Sequence, residues 1–406
     1  MNYLLYAGRS LNAFADYLLM FLIPLVVFQS TGRAELSGFA FAIEYLPKVL
    51  LGPVSGLLTD RLPLAPLVRV SALARGIACV VAGIALIWLP PFYVMLALGF
   101  TVGCFFSLDF MAFETMLTQV VAKEKFAQVQ ARVQSQEQTA LITAPIIGAL
   151  LISQIDAQGV LWVAAGVFLL ALMSLYLGCR DKVFSPPPDA HLPLISLLKT
   201  NLLTGQHYLR KNPSLQRLVL ATFLVNLIFA TTLAIGAAVM TGHFGGTEKQ
   251  FALLQTVGAG VSILVLALTA RFAWRLPITF LGRVAFALMF VGGVIGGLAY
   301  ESWMFIVGVA MVLGFDGLFN VYIRTRRMEI IPRKDYGKVM GLLMIANNLS
   351  KPMSGLIIFV FTPGVPVLTL LLILTLMAGI LTGVLGLLRT DGPTAQTTAP
   401  DLELEK

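Results

Sequence analysis

The chain has 406 residues, 58% of them hydrophobic and 12% charged, with a formal net charge of +8 and a mean hydropathy of +0.88. A soluble globular protein carries about 25% charged residues, so this composition excludes one and indicates a polytopic membrane protein. The positive balance could signal nucleic acid or a lipid surface; loop charges obeying the positive-inside rule account for it, and no nucleic-acid partner is expected.

A membrane-spanning helix needs roughly 20 mostly apolar residues. Twelve such stretches are predicted in chain order, at 4–29, 35–58, 67–88, 92–118, 132–153 and 159–178, then at 214–241, 249–271, 277–299, 302–324, 337–361 and 365–388. The first lacks a basic leader and an Ala-x-Ala site, so it reads as a span rather than a signal peptide. Between the sixth and seventh spans, Ser185-Pro186-Pro187-Pro188 cannot be helix interior. Leu194, Ile195, Leu198 and Leu202, with Lys199 and Arg210, then predict a short amphipathic helix on the inner leaflet. The polar, proline-containing and finally acidic segment 390–406 predicts disorder. Domain limits follow at 1–179, 180–213, 214–389 and 390–406.

The two halves repeat. At an offset of 210 residues Phe41-Ala42-Ile43 answers Phe251-Ala252-Leu253, Leu58-Thr59-Asp60-Arg61 answers Leu268-Thr269-Ala270-Arg271, and Thr115 answers Thr325. Pro145 and Gly148 answer Pro352 and Gly355 at 207, so a small indel intervenes. Duplicated halves in a hydrophobic chain are a transporter signature. Most basic loop residues, among them Arg61, Arg69, Lys123, Lys125, Arg180, Arg210, Arg271 and Arg333, fall in even-numbered loops. That asymmetry predicts both termini in the cytoplasm. Three scattered cysteines give no metal spacing and no disulfide framework. No nucleophile and base constellation stands out, so neither an enzyme nor a metal or cofactor is expected.

The loop after the second span carries Gly56-x-Leu58-x-Asp60-Arg61, which resembles the first signature of the major facilitator superfamily, although Leu62-Pro63-Leu64-Ala65 replaces its Gly-basic end. Upstream, Tyr45-Leu46-Pro47, Gly52-Pro53 and Gly56 resemble the subgroup of enterobactin-type siderophore exporters and macrolide efflux proteins. Ala144-Pro145-Ile146-Ile147-Gly148-Ala149 resembles the superfamily's antiporter signature, with Ala for two glycines. The fourth span lacks the basic residue of the second signature. The resemblance implies an all-α membrane protein with 12 transmembrane helices in two pseudo-symmetric six-helix bundles. Helices 1, 4, 7 and 10 would line a central cavity, and the halves would rock to open it alternately. It also implies a gate in which Asp60, beside Arg61, meets a helix N-terminus of the other half. The repeat position Ala270 carries no acid.

Ionisable residues at a helix centre cost roughly 2.5–3.5 kcal/mol on insertion scales and call for a reason. Asp16 lies in the first span and its repeat partner is Asn226; a carboxyl there could load a proton or touch substrate. Glu44 and Lys48 share a helix face and can pair. Asp109 and Glu114 lie on the fourth span, Asp316 and Asn320 on the tenth. Glu114 answers Arg324 across the repeat, and the two could bridge the halves as an inside gate or snorkel outward. Asn347, Asn348 and Lys351 precede the Pro352 kink, and Lys351 could neutralise Asp16 or Asp316 or bind an anion. Gln134, Gln136, Glu137 and Gln138 lie on the fifth span. Arg75 and Arg283 are expected to snorkel.

The assignment is a multi-pass transporter of the bacterial inner membrane, a monomer, driven by the proton gradient without a cofactor. Asp16 and Asp316 would couple protons. Asn226, Glu44, Lys48, Asp109, Asn320, Asn347 and Lys351 would contact substrate. Asp60, Arg61, Glu114, Arg324, Pro145 and Gly148 would gate. The expected cargo is a small polar metabolite, with an anionic siderophore leading; a drug or macrolide, or import of an iron–siderophore complex, are the alternatives.

Overall fold

The computed structural model describes residues 3–59, 61–121, 123–180, 194–272, 276–331 and 336–388. The expected latch at Asp60 and the tail 390–406 lie outside them. The described residues form helices and no strand: α1 Tyr3–Thr31, α2 Ala34–Leu50, α3 Gly52–Thr59, α4 Leu64–Ala85, α5 Pro91–Val120, α6 Lys123–Gly178, α7 Leu194–Lys211 and α8 Pro213–Ala237. A π-helical turn, Ala238–His243, extends α8; then follow α9 Glu248–Phe272, α10 Ile278–Gly297, α11 Ser302–Ile330, α12 Tyr336–Asn348, α13 Ser350–Phe361 and α14 Val367–Val384.

Among the described residues, ten helices are long and apolar enough to cross a membrane. Two departures from continuous helices reconcile ten with twelve. The stretch Ser135–Gly178 has 44 residues, a length of roughly 66 Å against a hydrocarbon core of about 30 Å. It turns at Asp156, whose backbone takes φ 59° and ψ −178°. Asp156 Oδ1 then accepts from the amide of Gly159 at 2.8 Å and caps the returning helix. So α6 supplies the fifth and sixth spans. The second span is instead divided at Leu51 into α2 and α3, neither long enough alone. Pro47, which has no amide to donate, lies one turn before that break. The eleventh span, counted whole as Leu342–Phe361 among the ten, is interrupted at Leu349, with Pro352 one turn beyond. The helix expected in the central connection is α7; Tyr208 from it packs with Leu215, Ile331, Val339 and Leu343.

The halves meet chiefly where α2 packs on α13 and α6 on α9. Gly38 and Gly355 make the first contact possible. A Cβ on Gly38 would lie 3.2 Å from the carbonyl of Gly355, and one on Gly355 would strike Gly38 O and Ala42. Two aromatic pairs cross the same boundary: Phe21 on Phe251 at 5.0 Å, and Phe39 on Phe359 at 4.8 Å between ring centroids. One apolar cluster spans both halves and holds Phe21, Leu25, Phe41, Ala149, Phe251 and Ile358. The clusters nearer the terminal face, around Leu5 and Phe113 and around Leu218 and Tyr322, each stay within one half. The packing between halves is thus concentrated on the face away from the termini.

Candidate functional site

Two groups of charged side chains inside the bundles draw on several helices each; apart from them, buried Arg327 donates to Thr222 at 3.2 Å. The first lies within the N-terminal half and draws on four helices. Residues 9, 12 and 16 recur at i, i+3 and i+7 along α1, so Arg9, Asn12 and Asp16 share one face, and all three are buried. Arg75 comes from α4, Asp109 from α5 and Glu137 from α6.

These groups form a linear chain of alternating charge. Arg75 Nη1 donates to both oxygens of Asp16, at 2.6 and 2.9 Å. Arg75 Nη2 lies 3.3 Å from Asp109 Oδ2, to which Arg9 Nη1 donates at 2.9 Å. Asn12 donates to the other Asp109 oxygen at 3.3 Å. Arg9 Nη2 finally donates to Glu137 Oε1 at 2.6 Å. The sequence runs Asp16, Arg75, Asp109, Arg9, Glu137. Aromatic rings sheathe it: the Arg9 guanidinium lies 5.2 Å from the centre of Phe113, and that of Arg75 4.9 Å from Phe168.

This overturns one expectation. Arg75 does not snorkel; its side chain is 0% exposed, with Asp16 and Asp109 beside it inside the bundle as counter-charges. Arg283 is exposed, with Nε donating to the Leu388 carbonyl at 3.3 Å. Arg9 was not among the expected site residues and Glu137 was named without a role. The signal for Arg9 was the α1 spacing, which places a cation on the face that carries Asp16; Glu137, on another helix, had none.

The second group lies where the halves face each other. Lys48 donates to Glu44 at 2.7 Å, as the i,i+4 spacing predicts. Its ammonium also lies 4.3 Å from the ring centre of Tyr45 and 4.9 Å from Phe106. Lys351, from α13 in the other half, lies 5.2 Å from the same Tyr45 ring. Lys351 in turn stands in the field of Asp316. Asp316 accepts from Asn320 Nδ2 at 2.9 Å, while its Oδ1 is buried with no partner among the described residues. Asn226 donates to the carbonyl of Asn347 at 3.3 Å and so ties α8 to α12.

The expected gating residues are dispersed. Arg61 is exposed just beyond α3. Glu114 is half-buried on α5 and Arg324 exposed on α11. Pro145 and Gly148 are buried in α6. Gly148 faces α1, where a Cβ would lie 2.8 Å from Leu18 and 2.9 Å from Phe21. Asp109, expected near substrate, is held inside the N-terminal bundle by Arg9 and Arg75. Among the described residues no group of three His, Cys, Asp or Glu side chains could hold a metal.

The family model of the Major Facilitator Superfamily matches residues 5–355. The chain is 25% identical to the uncharacterized MFS-type transporter YfiS of Bacillus subtilis over 85% of its length and 83% of that protein's. It is 23% identical to macrolide efflux protein A of Streptococcus pyogenes, over 88% and 87% of the two chains. The nucleoside transporter NupG superposes with a TM-score of 0.76 at 11% identity, covering 95% of this chain and 100% of that one. A bacterial homologue of the iron transporter ferroportin, in an inward-facing state, gives 0.72 at 16% identity, with 94% and 97% covered. The chain belongs to the Major Facilitator Superfamily.

Proposed function

We propose that this member of the Major Facilitator Superfamily exports a small anionic metabolite, of the carboxylate-siderophore kind, across a bacterial inner membrane in exchange for protons. The observation that carries the reading is the meeting of Lys48 and Lys351 at one aromatic ring, Tyr45, from opposite halves. Two ammoniums brought to one place repel each other, so each is held by a carboxylate partner: Glu44 by direct contact, Asp316 through its field. An anion entering between them would gain from both. Because one lysine belongs to each half, its grip depends on how the halves sit, which is what alternating access needs.

Proton and substrate couple when they bias one conformational equilibrium in opposite directions. The carboxylates assigned to protons are Asp316, with its unpartnered oxygen, and the chain of ion pairs containing Asp16. This reading takes the face with the termini and most basic loops as cytoplasmic, and the packing on the opposite face then corresponds to a form closed to the outside. Likeness to a macrolide efflux protein supports a second reading, efflux of a bulky drug. Two lysines at the centre disfavour a drug carrying a basic amine.

The test is metabolite profiling of cells and medium, with and without the protein, under iron starvation. A chelating anion retained in cells lacking the protein and missing from their medium supports export. Loss of uptake of an added iron-loaded chelator reverses the direction. No chelator difference, together with new sensitivity to macrolides, replaces the anion with a drug.

A further inference from the structure

The two buried groups differ in how their carboxylates are used. Inside the N-terminal bundle Asp109 has both oxygens engaged, by Arg9 and Asn12, and both oxygens of Asp16 accept from Arg75. Where the halves face each other, each carboxylate is half used. Glu44 Oε1 accepts from Lys48, and Asp316 Oδ2 accepts from Asn320. Glu44 Oε2 and Asp316 Oδ1 are buried and accept from nothing among the described residues. No other carboxylate oxygen among those residues is both buried and unpartnered.

A buried acceptor without a donor is costly, and more so when it is charged. Glu44 cannot swing outward to relieve this. It is 1% exposed and fixed where α2 lies on α5, so close that a Cβ on Gly103 would strike the Glu44 carbonyl. A third acceptor stands with these two. Asn347 is 6% exposed, its Oδ1 is also buried without a partner, and it precedes Lys351 by four residues. Glu44 comes from one half, Asp316 and Asn347 from the other.

Charge points the same way as the hydrogen bonds. Lys48 and Lys351 are positive, Glu44 and Asp316 negative, so the group as it stands is neutral. Arg324, whose field also reaches Asp316, is exposed to solvent. A cargo bearing a lone carboxylate would suit the lysines, yet it would leave the acceptors unmet and enclose an uncompensated negative charge. A cargo with an ammonium beside its carboxylate meets both needs and keeps the group neutral. An ammonium has three donors and no acceptor, which matches a site offering three unmet oxygens.

We infer that the cargo is an aminocarboxylate, its carboxylate held by Lys48 and Lys351 and its ammonium held at Asp316 Oδ1, with Glu44 Oε2 and Asn347 Oδ1 as the further acceptors. This rests on the export reading above and narrows the class of anion it names. Each end of such a cargo touches both halves: the carboxylate through one lysine from each, the ammonium through Glu44 on one side and Asp316 on the other.

The test uses the full chain purified in detergent and three probes with one carbon skeleton. Glutarate carries two carboxylates, glutamate adds an ammonium, and N-acetylglutamate turns that ammonium into a neutral amide N–H. Each is titrated at neutral pH, and the rise of the unfolding midpoint gives its half-saturating concentration. Glutamate is expected to act at a concentration about tenfold below that of the other two. Asp316→Asn is expected to abolish this preference, raising the glutamate value to that of glutarate. The midpoint without probe reports whether Asp316→Asn folds, and Glu44→Gln takes its place where it does not. Glutarate acting as well as glutamate overturns the ammonium and leaves the anion reading standing. N-acetylglutamate matching glutamate while glutarate lags overturns it as well, in favour of a neutral donor. A preference that survives in the folded variants overturns the placement at these carboxylates. No stabilisation by any of the three probes overturns both this inference and the anion reading.

Discussion

The two halves descend from one pattern yet fill the same interior positions with opposite chemistry. Adding 210 to the members of the charged chain that precede the indel gives Val219 for Arg9, Asn226 for Asp16, Ala285 for Arg75 and Phe319 for Asp109. The ion chain of the first half is thus replaced by apolar side chains and one amide. Phe319 and Ala285 are buried in the apolar core of their own bundle, and Asn226 reaches the Asn347 backbone. The second half keeps charges where it faces the first, at Asp316 and Lys351, and one buried arginine, Arg327, which donates to Thr222 at 3.2 Å. The difference teaches that a duplicated scaffold tolerates either solution to filling a four-helix junction. Apolar packing leaves nothing to titrate. Paired charges leave an ionisable interior, which is worth its desolvation cost only if it does something.

The largest effect expected from breaking this contrast is at Arg75. Arg75→Ala strips Asp16 and Asp109 of a buried counter-ion, a change that costs about 3–5 kcal/mol. Thermal unfolding in detergent should show a sharply lowered midpoint or no folded protein; an unchanged midpoint would mean the chain is not a brace. Phe319→Ala, at the position answering Asp109, opens a cavity and should cost a similar or slightly smaller amount, about 3–4 kcal/mol. Here added salt should leave the loss as it is, and xenon or another small apolar solute should recover part of it. Lys351→Ala should leave stability near wild type and weaken anion binding about tenfold, or about 1.4 kcal/mol. Binding of the exported compound, once profiling identifies it, measures this, and unaltered affinity would remove Lys351 from the site. Smallest of all is Arg283→Ala. Arg283 is exposed where Arg75 is enclosed, and its loss should fall within about 0.5 kcal/mol, a melting curve indistinguishable from wild type.

Much of this was open to view in the sequence. Composition and hydropathy identify a multi-pass membrane protein, and the 210-residue offset announces two halves, because both are properties of long stretches. The Glu44–Lys48 and Asp316–Asn320 contacts were legible too, since each partner lies one turn from the other on a single helix. What eluded sequence reasoning joins different helices. Arg75 and Arg283 look alike as single basic residues in corresponding spans; only tertiary packing, which sets two acids from α1 and α5 beside Arg75, separates them. Arg9 was hidden by its place near the start of α1, where a basic residue reads as an end charge. The breaks at Leu51 and Leu349 were likewise obscured, because hydropathy stays high across them while the hydrogen-bond ladder does not.

Those two breaks have a mechanical consequence. An unbroken helix behaves as a stiff rod, so a push at one end is delivered at the other. The second and eleventh spans are each jointed near their middles, and they are neighbours: α2 lies on α13, fastened at Gly38 and Gly355. The remaining segments, α3 and α12, leave that fastened pair for other neighbours, α3 packing on α5 and α12 on α7 and α8. Stiffness along these spans is therefore uneven, high at the clamp and low at the joints. On the proposed alternating-access reading, a displacement of either segment would be absorbed at its joint before it reached the clamp, so one mouth could open while the other stayed sealed.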